Sequence, residues 1–290
     1  MFEKTPLFAE SWNVAFRNRP SGTIFDDQKT PFTVIPNSFR YWAADPFIFE
    51  HEGIKYIFAE LFDYVLCRGC IGYCTLKDGR ASSWTKVLQE SFHLSYPFIF
   101  HKNNEVYMMP ESGADQSLCV YHAEHFPDKW KKIEVLRKNM VLGDTTLLND
   151  EAGNHALTYD LSDPHEIQLK LLDLHNPGKD SRLQVEHIER KRPAGKFFSM
   201  GGRLYRPAQD CSMDYGKGLI FYECVPAPYR EKLIKKIYPH ELQFSNKIFL
   251  DGMHTYNADS EYEIIDIKTR RFNLLNLAFR LFGKIRGVFR

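Results

Sequence analysis

A unit of about 50 residues recurs along this chain, and few architectures are built from such a unit. Each copy opens with a short apolar strand and continues, after a turn, with a second. The first copy reads Asp45-Pro-Phe-Ile-Phe49 and then Tyr56-Ile-Phe-Ala-Glu60. The second reads Tyr96-Pro-Phe-Ile-Phe100 and then Tyr107-Met-Met-Pro-Glu111, with the same fifteen-residue interval from Asp45 to Glu60 and from Tyr96 to Glu111. A third pairs Asp144-Thr-Thr-Leu-Leu148 with His155-Ala-Leu-Thr-Tyr159, and a fourth pairs Ala194-Gly-Lys-Phe-Phe198 with Tyr205-Arg-Pro-Ala-Gln209. The starts at 45, 96, 144 and 194 lie 51, 48 and 50 residues apart.

Turn residues fall where each pair must reverse: His51-Glu-Gly53, Lys102-Asn-Asn104, the 150–154 segment and Met200-Gly-Gly202. Third strands are readable at 69–75, 118–122 and 167–171, and Trp84 and Trp130 precede candidate fourth strands. Four strands in about 50 residues make a β-propeller blade. A degenerate fifth unit runs from Gly252-Met-His254-Thr-Tyr256 through Tyr262-Glu-Ile-Ile-Asp266, and Trp12-Asn-Val-Ala-Phe16 supplies a strand to close the ring. The expected fold is all-β, a five-bladed propeller over residues 1–267. A β-sandwich with coincidental spacing is the competing reading. Aromatic residues at 14% of the chain favour strands and flat stacking surfaces in either case.

Charge is unevenly placed. The chain carries 38 Lys plus Arg against 37 Asp plus Glu, a net of +1, which argues against a partner wrapped by bulk positive charge such as nucleic acid. Past Asp266 the remaining seven charged residues are all basic, so the body is mildly acidic. From Phe272 to Arg290, polar or small positions recur every three or four residues against a broad Phe and Leu face. This predicts a C-terminal amphipathic helix over 268–290 that lies on an anionic membrane surface, or docks on the propeller or another subunit. No run of about 18 apolar residues exists to span a bilayer. The first residues, with Glu3 and Glu10, do not read as a secretory signal, so the expected location is cytoplasmic, peripheral to the inner membrane face. Six sparse cysteines agree with a reducing compartment. Cys67, Cys70 and Cys74 have a spacing that zinc can use, but no second ligand pair follows, so small apolar side chains in a strand are the preferred reading.

In a propeller the innermost strands line a central channel, so equivalent positions of different blades meet at one mouth. Here these are Asp45, Tyr96, Asp144 and the Arg192-Pro-Ala194 segment, with His254 from the fifth blade; the second strands end in Glu60, Glu111, Tyr159 and Gln209-Asp210. Asp45, Asp144, Glu111 and Glu60 are the candidate catalytic carboxyls, because paired carboxyls do acid and base work and burial raises the pKa of one of them. Arg192 and Arg206 suit a phosphate or carboxylate, or pair with Glu60, Glu111 or Asp210 to bind the blades together. With His93, Tyr96, Asp210 and His254 they form the candidate binding set. The residues ask for no metal and no cofactor.

The chain resembles the five-bladed propeller domain at the N-terminus of plant glucosamine inositolphosphorylceramide transferases and bacterial relatives. The resemblance covers most of residues 10–266 and rests on Trp42-Ala-Ala-Asp-Pro-Phe47, Phe58-Ala-Glu60, His93-Leu-Ser-Tyr-Pro97, Pro110-Glu-Ser112, Phe126-Pro-Asp-Lys-Trp130, Gly143-Asp-Thr-Thr146, Arg192-Pro-Ala-Gly195 and Tyr205-Arg-Pro-Ala-Gln-Asp210. More distantly the chain is similar to five-bladed glycoside hydrolases of the arabinanase and xylosidase type. That likeness implies a base at Asp45 and a pKa-tuning carboxylate at Asp144. It also implies a general-acid Glu opening blade four, where this chain has Arg192-Pro-Ala-Gly195 instead. The resemblance implies a carbohydrate-active propeller in cell-surface glycan or glycolipid synthesis that transfers a glycosyl group from an anionic or nucleotide-activated sugar, its binding set holding a glycan, sugar phosphate or nucleotide sugar. A hydrolase with its acid relocated to Glu60 or Glu111, and a non-catalytic glycan-binding module, are the alternatives.

Overall fold

The computed structural model describes residues 8–19, 24–25, 29–148, 155–163, 168–173, 185–226, 228–246 and 250–272. Five antiparallel sheets appear in the order the repeat predicts. Blade one consists of Tyr41–His51, Ile54–Asp63 and Arg68–Lys77, with Arg80–Ala81 and Thr85–Leu88 at its outer edge. Blade two has Ser95–Lys102, Glu105–Ser112, Ser117–His125 and Lys129–Lys138, and blade three Leu142–Leu147, His155–Asp160 and Gln168–Asp173. Blade four runs Phe198–Met200, Arg203–Asp210, Gly218–Pro226 and Tyr229–Ile237. Val185–His187 joins its outer edge in parallel, so chain that follows blade three in sequence completes blade four.

Blade five closes the ring. Tyr256–Ala258 and Tyr262–Phe272 come from the end of the chain, whereas Phe8–Asn18 and Thr33–Val34 come from its beginning. The register runs from Phe8 opposite Phe272 to Asn18 opposite Tyr262. No sheet edge is left between the two ends, which is the advantage of closure. This strand also corrects the expected boundary at 267/268: Lys268 and Arg270 belong to the propeller, Lys268 forming ion pairs with Glu10 and Asp214. The rest of the expected amphipathic helix, 273–290, lies outside the described residues. Among the described residues no helix is long and apolar enough to cross a membrane.

The core lies between blades, as alternation dictates, because each sheet buries both faces against its neighbours. Phe47, Phe58, Ile71, Phe98, Met108 and Tyr121 join blades one and two. Val14, Phe16, Ile48, Ile57 and Ile264 join blades five and one, and Cys70 and Cys74 lie in that cluster as small apolar groups. Burial raises the Cys70 thiol to about 12 and pushes Cys74 up as well, the opposite of what zinc ligation requires.

One local device is repeated on three inner strands. Asp45, Tyr96 and Asp144 have φ of 50°, 44° and 49°, and the pairing with the second strand slips at each, between Ala44 and Phe47, Ser95 and Phe98, and Gly143 and Thr146. These are β-bulges carrying a left-handed non-glycine residue, a conformation that costs about 1–3 kcal/mol each. In blades one and two proline follows the bulged residue, so the skipped ladder position strands no N–H. Blade four has Gly195 at the equivalent place, φ 135°, where a Cβ would lie 1.9 Å from the Tyr256 carbonyl oxygen; only glycine fits there.

Candidate active site at the channel mouth

The bulges turn Asp45, Tyr96 and Asp144 toward the axis, where groups from different blades hydrogen-bond to one another. Asp45 Oδ2 accepts the Tyr96 N–H at 3.2 Å, and Asp45 Oδ1 accepts the Thr255 hydroxyl at 2.8 Å. The Asp45 N–H donates to Asp266 Oδ2 at 3.0 Å, and the Asp144 N–H donates to Glu111 Oε2 at 3.0 Å. Residues 51 or more positions apart thus become neighbours through closure alone.

On the side of blades five and one, Asp266 is fully buried and takes the N–H groups of His254 and Thr255 at 2.9 and 3.0 Å. His254 Nδ1 lies 2.6 Å from Asp266, and its Nε2 lies 3.7 Å from Asp45. Burial opposes charge on this imidazole, but Asp266 and Asp45 outweigh it and raise its pKa to about 9. Asp45 is pushed up to about 6, chiefly by burial, with His254 pulling it down and the charge of Asp144 adding to the rise. Trp12 stacks on His254 with centroids 4.0 Å apart. Donor atoms of Asp45, His254 and Asp266 lie within 4.8 Å of one another, the arrangement among the described residues that could hold a metal ion. The imidazolium already balances one carboxylate there.

Arg192, on the opposite side, is clamped. Its guanidinium engages both oxygens of Asp144, and Nη2 reaches Glu111 Oε2 at 3.0 Å. Gln209 Nε2 donates to Asp144 Oδ2 at 2.7 Å, and the Tyr215 ring lies 5.7 Å from the guanidinium carbon. Burial raises the pKa of Asp144 while Arg192 holds it down. A cation shared by two carboxyl groups is a weaker anion receptor than a free guanidinium, and the contact with Glu111 is the pairing that the sequence offered as the alternative.

Glu60 forms a third element. It is 5% exposed, and burial, reinforced by Asp45 and Glu111, lifts its carboxyl well above the ordinary range. His93 Nε2 stands 3.3 Å away and is itself lowered to about 4 by burial. Burial thus disfavours charge on both groups. Each of the other flanks sets two carboxyl groups against one cation.

The structure thus assembles Asp45, Asp144, Glu60, Glu111, Arg192, His93 and His254. It places three expected residues elsewhere. Arg206 is fully buried inside blade four, held by Glu231 at 2.6 and 2.8 Å and by the carbonyls of Lys191 and Glu189, because the pleat turns it away from the axis. Asp210 is a turn anchor that accepts from the Ser212 N–H, Tyr238 hydroxyl and Lys236, and these partners lower it to about 2 against the opposing pull of burial. Tyr96 has no exposed surface. Its hydroxyl bonds Thr146 at 2.6 Å and the Gly195 N–H at 2.7 Å, so it plugs the channel rather than meeting a ligand. Sequence reasoning missed Asp266, Thr255, Trp12 and Tyr215. Only Trp12 carried a signal, as the lone tryptophan of the closing strand.

Comparison with known proteins agrees with this architecture. The chain is 28% identical over 248 residues to glucosamine inositolphosphorylceramide transferase 1 of Arabidopsis thaliana, covering 81% of this chain and 31% of that protein. It is 31% identical over 217 residues to the protein of the same name from Oryza sativa subsp. indica, covering 70% of this chain and 28% of the relative. The chain therefore spans about a third of the plant relatives it matches. Among solved structures, the RS223 β-xylosidase superposes with a TM-score of 0.55 at 9% identity, over 79% of this chain and 92% of that one. The catalytic domain of the Coprinopsis cinerea GH62 α-L-arabinofuranosidase gives 0.54 at 10% identity, over 87% and 97%. At such identities these establish the five-bladed fold alone. Residues 33–238 match the family model described as glucosamine inositolphosphorylceramide transferase 1, N-terminal, and the chain belongs to that family.

Proposed function

We propose that this propeller transfers a glycosyl group in the assembly of a cell-surface glycan or glycolipid, with Asp45 as general base. The observation that carries the reading is Asp45 itself, bent into the axis by a strained bulge and opposed across the mouth by the Asp144 and Arg192 pair. With a pKa of about 6 it is ionised near neutrality yet basic enough to accept a proton. An acceptor hydroxyl would give its proton to Asp45 while its oxygen bonds to the anomeric carbon and the bond to a phosphate leaving group breaks. A mouth with more carboxyl groups than cations favours a nucleotide-activated donor whose phosphates arrive with a divalent cation, or one that draws Arg192 away from Glu111. The basic, apolar 273–290 segment supports action at the anionic cytosolic face of a membrane.

Thermal denaturation with a panel of nucleotide sugars tests the reading. The expected result is stabilisation by at least one donor, retained in Asp45→Asn while turnover is lost. Binding of glycans without any turnover would instead make the chain a recognition module. Glu60 favours hydrolysis as a second reading, because a carboxyl group beside Asp45 whose proton burial holds more tightly suits the acid that blade four lacks. Release of reducing sugar from aryl glycosides, abolished by both Asp45→Asn and Glu60→Gln, would select it.

A further inference from the structure

The rim of the mouth beside Asp45 is aromatic. Trp42 precedes Asp45 on the inner strand of blade one and pairs across the ladder with Phe62. Their rings are stacked, with centroids 4.8 Å apart and planes 6° from parallel, and both are half-buried. Cross-strand partners share a face and side chains alternate along a strand, so Trp42, Phe62 and Glu60 look the same way.

Gly69 lies opposite Phe62 on the next strand. A Cβ there would stand 2.6 Å from Glu60 Oε1 and 2.9 Å from His93 Cε1, so the glycine leaves the space that the imidazole and carboxyl fill. The Gly69 N–H donates to His93 Nδ1 at 2.9 Å, which puts the proton of the neutral ring on Nε2. Glu60 Oε1 is buried, with the His93 Nε2–H 3.3 Å away but no well-aligned hydrogen bond between them. Two flat, half-buried rings at the rim beside a carboxyl group whose hydrogen-bonding capacity is unfilled make a platform and an anchor for a ligand.

We propose that Trp42, Phe62 and Glu60 form a subsite for an uncharged pyranose, the ring of the acceptor sugar lying on the Trp42 indole with one hydroxyl hydrogen-bonded to Glu60. The inference rests on the carbohydrate reading above and adds where the acceptor sits. The negative face of an aromatic ring meets the C–H face of a sugar, and the sugar's edge supplies a hydroxyl to the Glu60 carboxyl group. A nucleobase would stack as well, but it brings phosphates. The cations on this flank are occupied: Arg40 by Asp63 at 2.7 Å, and Arg68 by the Ser91 carbonyl at 2.5 Å. The neighbouring carboxyl groups of Asp45 and Asp144 disfavour an anion.

Saturation-transfer NMR with methyl β-D-glucopyranoside, methyl β-D-galactopyranoside and methyl α-D-mannopyranoside, run beside UDP-glucose, tests this on the full chain. At least one glycoside should receive saturation mainly through the C–H protons of one ring face. Trp42→Ala should weaken it about tenfold, Trp42→Phe should restore most of the loss, and nucleotide-sugar binding should stay unchanged. Far-UV circular dichroism and melting temperature identify any variant that has failed to fold, and Phe62→Leu then serves in its place, with weakening expected again. Glycosides that bind folded Trp42→Ala as well as they bind the native chain would overturn the subsite and leave the transferase reading standing. Failure of every glycoside and every nucleotide sugar to bind would overturn both.

Discussion

Replacing Asp266 with Asn perturbs the most heavily used carboxylate of the site. It is fully buried and receives the N–H groups of Asp45, His254 and Thr255 together with His254 Nδ1. An amide keeps the shape, but it removes the charge opposite a buried imidazolium and turns an NH2 group toward donors that need an acceptor. Breaking one side of a buried ion pair costs about 3–5 kcal/mol. For a chain of this size that is a fall of roughly 6–20 °C in melting temperature. His254 has its pKa raised from 6.5 to about 9, so the stability it contributes is fully present below 6.5 and is lost as pH rises through about 9. Urea unfolding of the native chain and Asp266→Asn should therefore show the full deficit below about pH 6.5 and a smaller one at about pH 10, where only the backbone hydrogen bonds distinguish the two. A deficit under about 1 kcal/mol, or one that does not change with pH, would refute the argument that this pair holds the bulge of blade one in place.

Other outcomes follow from the same geometry. Glu60 binds its proton more tightly folded than unfolded, so native stability falls as pH rises above the ordinary carboxyl range; Glu60→Gln should gain on the native chain in thermal melts as pH is raised from 4.5. Arg206→Met strands the buried Glu231 and should lose about 3–5 kcal/mol by urea titration while leaving ligand affinity unchanged, since Arg206 is remote from the mouth. Truncation after Phe272 keeps the closing strand whole, so circular dichroism should remain native while binding to vesicles of anionic lipid is lost; undiminished vesicle binding would reject the membrane role of the tail. Deleting 8–18 removes the partner of Tyr262–Phe272 and should abolish cooperative unfolding altogether.

Much of the fold was readable because blades repeat their strand and turn pattern, and the bulge leaves a trace in Asp45-Pro46, Tyr96-Pro97 and the matching Asp144. Equivalence between blades identified which residues approach the axis. It could not identify which atoms meet there. Arg206 and Asp210 sit on the right strand, yet side-chain parity and a local turn direct them into blade four, and no residue type announces parity in a strand buried on both faces. Tyr96 occupies a mouth position by sequence but fills the channel beneath it. Asp266, Thr255 and Trp12 escaped notice because the closing blade mixes the two ends of the chain, where the repeat is weakest. Arg192 was legible both as a guanidinium in a cleft and as a partner for Glu111, whereas its bond to Asp144 depends on distances that spacing does not encode.

Crystals grown with a nucleotide sugar and soaked with a methyl pyranoside would address the central claim, that side chains from separate blades make one carbohydrate site. The account expects sugar density in the mouth, touching Asp45 on one side and the Asp144 and Arg192 pair on the other. Ligand bound only on outer strands, or at the far end of the channel beyond Tyr96, would contradict it.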